Sequence, residues 1–449
     1  MIRNRNQLIA HGLKTGREYA LDIVTAALEG VNACTAVQNK VRLVGDILKI
    51  EDQSFDLRKF RNIYAIGGGK ATFPLAKALE NILGERISDG FVAVKDGQGG
   101  QLNHIRVMEA AHPVPDMRSK EAGREIFEIA RKAGADDLVI CLMSGGVSSV
   151  CCYPVSDISF EDKMITSRLM VNSGADIDEI MTVRGQLSQI KLGRLAHVMH
   201  PATMINLTVS DAIGDPMNLN TDWTSSDDST LADAMRILKK YGVWNKTPEA
   251  VQQFLDRAKK FDVSAEDKSD FHIHNFMVVK TIALADAAVR KARDLGLETI
   301  VLTSSLSGES REVGRFFAAI AREAHEKKRP ITPPCALIAT GETAVRLENE
   351  DYGKGGRNQE FAAGACLDLK PIDPIVICSL GTDGTDGPTP VAGAITDGST
   401  IARALSKGLD IHELLRRHDI YTLLTAVGDT IETHDTETNV CDIAVAVVL

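Results

Sequence analysis

The residues with the densest chemical content lie in the second half of the chain. Gly341-Glu-Thr343 is followed by Gly353-Lys-Gly-Gly-Arg-Asn-Gln-Glu360 and then by Leu380-Gly-Thr-Asp-Gly-Thr-Asp-Gly387. Arg357 carries a planar guanidinium whose fork of donors matches a phosphate or carboxylate. Asp383 and Asp386 supply carboxylate oxygens, the hard ligands that Mg²⁺ prefers. Glycines around Asn358 and Glu360 let a backbone approach a ligand closely. The chemistry this suits is the handling of a phosphate group, with metal assistance.

The first half holds a second set. Gly67-Gly-Gly-Lys70 follows the apolar run Asn62–Ile66 and precedes a helical stretch from Phe73. Strand, glycine turn and helix together aim backbone N–H groups and a helix N-terminus at an anion, with Gly68, Gly69 and Lys70 at the turn. The glycine spacing fits neither a P-loop nor G-x-G-x-x-G. Ser144-Gly-Gly-Val-Ser-Ser149, after the buried run Asp137–Met143, reads as a second anion cradle, with Ser144, Gly145, Gly146 and Ser148 as contacts. Arg184 and Lys191 lie with Arg194 in a mostly helical pattern over 177–200, where they can steer an anion. Asp211 and Asp215 close the run Met204–Val209, at a strand end of the kind where open α/β sheets place ligands. His112, in the proline-fixed loop Ala111–Asp116, is either a substrate contact or a turn histidine. No Ser-His-Asp order, H-E-x-x-H or kinase H-R-D set is present.

These loops need a scaffold, and the chain supplies one. With 449 residues it exceeds what one core usually holds. Apolar runs of strand length alternate with helical patterns throughout, which predicts an α/β fold of parallel sheets with helices on both faces. The composition turns charged around Lys246–Ser269, which places a boundary between an N-terminal domain, 1–265, and a C-terminal domain, 266–449. The run Asp442–Val448 is a strand that can join either sheet.

Composition narrows the classes. A net charge of -10 argues against a general nucleic-acid binder. The eight cysteines form no C-x-x-C and sit mostly in apolar runs. They read as reduced thiols of a cytoplasmic protein, with Cys151 and Cys152 one inside and one outside an element. No signal core or membrane-spanning run is seen.

Taken together, Ile66-Gly-Gly-Gly-Lys-Ala, Ala111-His-Pro-Val-Pro-Asp, Leu142-Met-Ser-Gly-Gly, Thr182-Val-Arg with Leu187-Ser-Gln-Ile-Lys191, Ser210-Asp with Gly214-Asp-Pro, Gly355-Gly-Arg-Asn-Gln-Glu and Gly384-Thr-Asp-Gly-Pro resemble the class II glycerate 2-kinases, collinearly over nearly the whole chain. Some members of that family carry the name hydroxypyruvate reductase. The resemblance implies ATP- and Mg²⁺-dependent phosphorylation of the 2-hydroxyl of D-glycerate, in a cleft between an N-terminal Rossmann-like doubly wound domain and a smaller C-terminal α/β domain. It implies that Lys70 and Arg357 hold the substrate or the transferring phosphate, and that Ser144-Gly-Gly and Lys191 line the cradle. Gly341, Glu342, Thr343 and Asn358 are then expected at the nucleotide, and Asp383 and Asp386 at the metal.

Three departures stand out. The family has a further glycine and Ser-Ala where this chain has Val147-Ser-Ser. It has Gly-Gly after the lysine where this chain has Leu192-Gly. It has a Ser-Gly-Pro-Thr turn where this chain runs Asn218–Ser229 through Trp223. These changes leave Lys70 and Arg357 in place and direct attention to the acceptor, D-glycerate or a closely related hydroxy acid, longer or branched ones included. Two other readings compete: an NAD(P)H-dependent hydroxypyruvate reductase, against which the missing G-x-G-x-x-G counts, and a non-catalytic anion-binding relative. A homodimer is the candidate assembly, and neither a nucleic acid nor a membrane is expected as a partner.

Overall fold

Fifteen strands and their helices are arranged in three sheets in the computed structural model, which describes all residues except 213, 216–222, 226–227, 258–269, 348–350 and 435. In chain order the strands are β1 (Val41–Val44), β2 (Ile47–Ile50), β3 (Gln53–Asp56), β4 (Asn62–Gly68), β5 (Asp89–Lys95), β6 (Arg106–Ala110), β7 (Asp137–Met143), β8 (Thr203–Val209) and β9 (Ile273–Val279). They continue with β10 (Glu298–Leu306), β11 (Cys335–Gly341), β12 (Ile375–Gly381), β13 (Gly393–Asp397), β14 (Thr430–Ile431) and β15 (Asp442–Val448).

The chain divides into two units. An inserted unit comprises Ala33–Val209 and Pro216–Val278; a flanking unit comprises Met1–Asn32, Ser210–Asp215 and Val279–Leu449. This division departs from the expected 1–265 and 266–449, and the expected junction itself lies outside the described residues. The physical reason is at the N-terminus. The helix Lys14–Gly30 buries Ala20, Ile23, Val24, Ala27 and Leu28, and it packs on the helix Ile282–Asp294 and strands β12 and β15. Its Arg17, fully buried, donates to Asp397 Oδ2 at 2.6 Å and Asp429 Oδ1 at 2.9 Å. A buried cation is tolerated only with such partners, so the first helix is bound to the last third of the sequence.

The inserted unit carries a six-stranded sheet in the order β6-β5-β4-β7-β8-β9. The pairs β5–β6, β4–β5, β4–β7 and β7–β8 are all parallel. The helix Thr72–Leu83 crosses from β4 to β5, and Met117–Ala130 leads from β6 to β7. The chain thus winds outward from β4 through β6 and then returns to begin again at β7. That is the doubly wound order expected from the alternating runs, and it sets a topological switch point between β4 and β7. Their residues are apolar without alternation because both faces are covered; every residue of β7 is buried. The small sheet β1-β2-β3 also belongs to this unit.

The flanking unit differs from expectation. Its sheet, β10-β11-β15-β12-β13-β14, is mixed. Only β10–β11 is parallel; β15 runs antiparallel to both β11 and β12, and β12–β13 and β13–β14 are antiparallel. The C-terminal strand therefore joins this sheet, at its centre, with all seven residues buried. Strand polarity has no signature in a fully buried run, so the mixed order is not readable from the apolar pattern.

Candidate active site

The two glycine loops meet at the switch point of the inserted unit. Gly68 at the end of β4 is in register with Met143 at the end of β7, so the turn after each strand begins beside the other. Gly69 has φ of +131°, and a Cβ there would lie 2.3 Å from the Ser144 carbonyl oxygen. Only glycine fits. The backbone N–H groups of this turn are committed inward: Gly69 N–H donates to Ala93 O at 3.1 Å, Lys70 N–H to Gly145 O at 2.9 Å, and Ala71 N–H to Ser144 Oγ at 3.0 Å. Ser144 Oγ also pairs with Thr72 Oγ1 at 3.0 Å. The expected cradle of backbone donors is thus a joint between two loops, and Ser144 is its pin. Gly68 is a packing glycine, since a Cβ would meet Cys151 Sγ at 2.7 Å and Val147 Cγ2 at 2.9 Å.

Gly146 is different. It has φ of +87°, and a Cβ there would come 3.0 Å from His112 Nε2 and 3.1 Å from Lys70 Cγ. The bare backbone brings Lys70 and His112 to one place. The joint exists to set that convergence, with Gly145 fixing the backbone of Lys70 through its carbonyl. Val147 is buried in the sheet's core and opens the short helix Val147–Val150. Trp223 is fully buried in the same core; residues 218–222 of that divergent stretch lie outside the described residues.

Beside this joint is a pocket lined by Ser148, Ser149, Pro113, Lys163, Arg184 and Lys191, among others. Lys191 Nζ donates to Ser148 Oγ, and Lys163 Nζ donates to Leu187 O at 3.1 Å. Both lysines are 3% exposed. Burial, together with the charge of Lys163, lowers Lys191 to about 7. Burial likewise lowers Lys163 to about 8 and pulls Arg184 down. No carboxylate among the described residues enters the electrostatics of these three cations. Arg194, by contrast, is consumed by the carbonyls of Gly185, Gln186 and Ser188 and by Gln186 Oε1. The predicted single helical pattern over 177–200 is in fact two helices, Ile177–Gln186 and Arg194–Met199. Leu192 and Gly193 turn between them with φ of 57° and 73°. That break is what lets Lys191 and Arg184 line one pocket. Cys151 and Cys152 are both buried, not one in and one out, and both line the pocket.

The remaining expected site residues sit in the flanking unit, at the ends of β11, β12 and β15 and at the start of the helix Arg357–Cys366. Arg357 donates from Nη1 and Nη2 to the two oxygens of Glu342, each at 2.9 Å, and from Nη2 to Asp442 Oδ1 at 2.9 Å. Its Nε lies 2.6 Å from Asp442 Oδ2. Burial pushes the Asp442 carboxyl up to about 7, against the pull of Arg357 and with the push of Glu342. Arg357 is therefore a cation embraced by two acids, one-third exposed. Asp211 belongs here and not with the first cradle: its Oδ2 accepts from Asn439 Nδ2 at 3.1 Å and its carbonyl from Cys441 Sγ at 2.9 Å.

Asp386 does not fit a metal. Oδ1 accepts from the N–H and Nδ2 of Asn358, at 3.0 and 3.3 Å, and Oδ2 from the N–H and Nε2 of Gln359, both at 2.9 Å. It caps the first turn of the helix Arg357–Cys366, where unpaired N–H groups need acceptors. Asp383 Oδ1 closes its own turn on the N–H and Oγ1 of Thr385, both at 3.1 Å. Among the described residues no three His, Cys, Asp or Glu side chains are grouped to hold a metal. The four residues expected at a nucleotide are also in structural use. A Cβ on Gly341 would lie 2.3 Å from Leu306 N. Thr343 Oγ1 accepts from Ser310, Asn358 Oδ1 accepts from Ser379, and Glu342 holds Arg357.

Two residues of evident weight were not foreseen. Lys163 lies in the helix Phe160–Val171, where a lysine reads as solvated, and Asp442 is the first residue of a strand. Lys163 gives no sequence signal, since its neighbours one turn away, Ser159, Phe160, Thr166 and Ser167, are mostly polar; Asp442 gives only its position after a polar turn at a strand end.

An α/β protein with a doubly wound sheet and a cationic pocket beside its switch point has the charge and placement that suit a small anion. The family described as a domain of unknown function, DUF4147, matches residues 19–256, and the MOFRL family matches residues 335–442. A glycerate 2-kinase of Pyrococcus horikoshii is 37% identical over 96% of this chain and 97% of its own. A D-glycerate 2-kinase of Thermotoga maritima is 36% identical over 86% of this chain and 91% of its own. The crystal structure of a Thermotoga maritima glycerate kinase superposes with a TM-score of 0.81 at 34% identity, covering 96% and 99% of the two chains. The chain belongs to the glycerate 2-kinase family.

Proposed function

We propose that this protein transfers the terminal phosphoryl group of ATP to the 2-hydroxyl of D-glycerate or of a closely related short 2-hydroxy acid. The observation that carries this reading is the convergence of Lys70, His112 and Gly146 at the ends of two adjacent parallel strands, in a chain matched along 96% of its length by a glycerate 2-kinase. Phosphoryl transfer asks a protein mainly to position two substrates and to offset the charge that spreads over the transferred group. Lys70 supplies a cation on a backbone clamped by Gly145. His112, beside Gly146 and Lys70, is the candidate contact for the acceptor hydroxyl. ATP enters as its magnesium complex, so the metal is part of the donor substrate, since Asp386 is occupied as a helix cap. Arg357, its orientation fixed by Glu342 and Asp442, is assigned to the phosphate chain.

The test is a substrate screen. Purified protein with ATP and Mg²⁺ is offered D-glycerate and other short 2-hydroxy acids, and ADP release is followed with phosphorus NMR of the product. The expected result is one phosphate ester per ADP, at the 2-position, lowered at least a hundredfold by Lys70→Ala. Absence of acceptor-stimulated ATP turnover with every acid sinks the reading. Oxidation of NADH or NADPH with hydroxypyruvate would establish the reductase in its place.

A further inference from the structure

We infer that Lys163 is a specificity-determining residue which, with Arg184 and Lys191, seats the carboxylate of the acceptor. This rests on the kinase reading above and names how that site chooses its substrate. The first ground is an imbalance of charge. Lys163 and Lys191 are each 3% exposed, and Arg184 lines the same pocket. Among the described residues the polar partners of the two ammonium groups are a carbonyl, Leu187 O, and a hydroxyl, Ser148 Oγ. An ammonium has three N–H donors, and a buried cation normally has an anion beside it. Here, among the described residues, three cations are gathered without a carboxylate, and only the Cys152 thiol acts on all three. The missing charge is then a ligand's.

The second ground is size. The pocket has a cavity volume of about 30 Å³, room for two or three groups the size of water. Two carboxylate oxygens are of that size. The third ground is the way the sequence builds the pocket. Lys163 is held by Leu187, the residue that ends the helix carrying Arg184, and Lys191 lies on the turn that follows. One break in one helical pattern therefore sets the spacing of all three cations. Pro113 and Ser149 tie the pocket's rim to the loop that bears His112, since Ser149 Oγ donates to Pro113 O at 2.7 Å. An acid held by its carboxylate here extends its adjacent carbon toward that loop, and a longer acid would have to displace the rim.

The experiment is isothermal titration with D-glycerate, glycerol and ATP, run on the wild-type, Lys163→Met and Lys163→Arg proteins, with D-glycerate titrated both alone and in the presence of a non-hydrolysable ATP analogue. D-glycerate is expected to bind at least tenfold more weakly to Lys163→Met, with part of the loss recovered by Lys163→Arg. Glycerol, which lacks the carboxylate, should bind neither detectably. ATP affinity should stay within twofold. The apo Lys163→Met protein should melt no lower than wild type, because an unpaired buried cation has been removed; if it fails to fold, Arg184→Leu carries the same expectation. Unchanged D-glycerate affinity, no D-glycerate binding to wild type in either condition, or a fall in ATP affinity instead each overturns the assignment, the last by showing that the pocket takes a donor phosphate. Binding without phosphoryl transfer would sink the kinase reading and leave the carboxylate seat standing.

Discussion

Arg17 and Asp397 are 380 residues apart in sequence, yet Arg17 Nε donates to Asp397 Oδ2 at 2.6 Å with both side chains buried. The guanidinium beside it holds the Asp397 carboxyl down to about 2, against its burial. Removing the cation leaves Asp397 buried without its cation and Asp429 with Arg403 alone. Arg17→Met should destabilise the flanking unit by about 3–5 kcal/mol. Calorimetry should show that loss as a lowered melting transition. A variant within 1 kcal/mol of wild type would show that the pairing is incidental.

Gly69→Ala places a methyl group in a φ region closed to alanine and against the Ser144 carbonyl. Strain of this kind costs about 1–3 kcal/mol before the collision is counted. The joint between the loops after β4 and β7 should open, and acceptor-stimulated ATP turnover should fall at least a hundredfold, more than the loss in melting temperature explains. Gly97→Ala, at an open turn with φ of +80° and nothing near its Cβ, is the control; it carries the backbone strain alone and should leave turnover within threefold.

The acceptor pocket should take up protons when it binds an acid. Lys191 and Lys163 have pKa values of about 7 and about 8, below the ordinary 10.5. In the empty protein burying their charged forms costs stability; that cost is complete below pH 7 and fades as pH rises from the lowered values toward the ordinary 10.5. A carboxylate among Lys163, Lys191 and Arg184 raises both pKa values. At pH 8, D-glycerate binding should therefore be accompanied by proton uptake, read from titrations in buffers of different ionisation enthalpy, and KM for the acid should rise between pH 7 and 9. Proton release at pH 8, or a KM that falls over that range, would contradict the charge state described.

Asp386→Asn separates a helix cap from a metal ligand. Each oxygen of Asp386 serves two donors, and an amide nitrogen in place of one oxygen leaves two of them unmet. The expected loss is about 2 kcal/mol of stability, with KM for magnesium–ATP unchanged within twofold. A stable variant with a tenfold higher requirement for Mg²⁺ would return Asp386 to the metal.

Much of the inserted unit was legible in the chain. The runs Asn62–Ile66 and Asp137–Met143 could be read as buried strands because both faces of a doubly wound sheet are covered, and Gly67–Lys70 and Ser144–Ser149 announced their turns. What escaped reading is mostly a matter of partner choice. A carboxylate that caps a helix, as Asp386 does, has the same letters and flanking glycines as one that binds a cation. Lys163 and Arg17 sit at positions where a basic residue ordinarily points to water, and only their tertiary surroundings make them buried. The junction near residue 265 was drawn from a change in composition, whereas the units are set by which sheet each helix covers, and Met1–Asn32 covers the later one.

The order of synthesis bears on how the flanking sheet can form. Strand β15 follows every other strand in the chain yet lies between β11 and β12, bonded to both. Until residues 442–448 have left the ribosome, that sheet has a vacancy at its middle, and β11 and β12 expose unpaired edges of the kind that recruit foreign strands. The inserted unit has no such gap, because its six strands are complete by residue 279. The nascent protein should therefore pass through a stage with one finished body and one open sheet, and it is in that stage that chaperone protection against aggregation matters most.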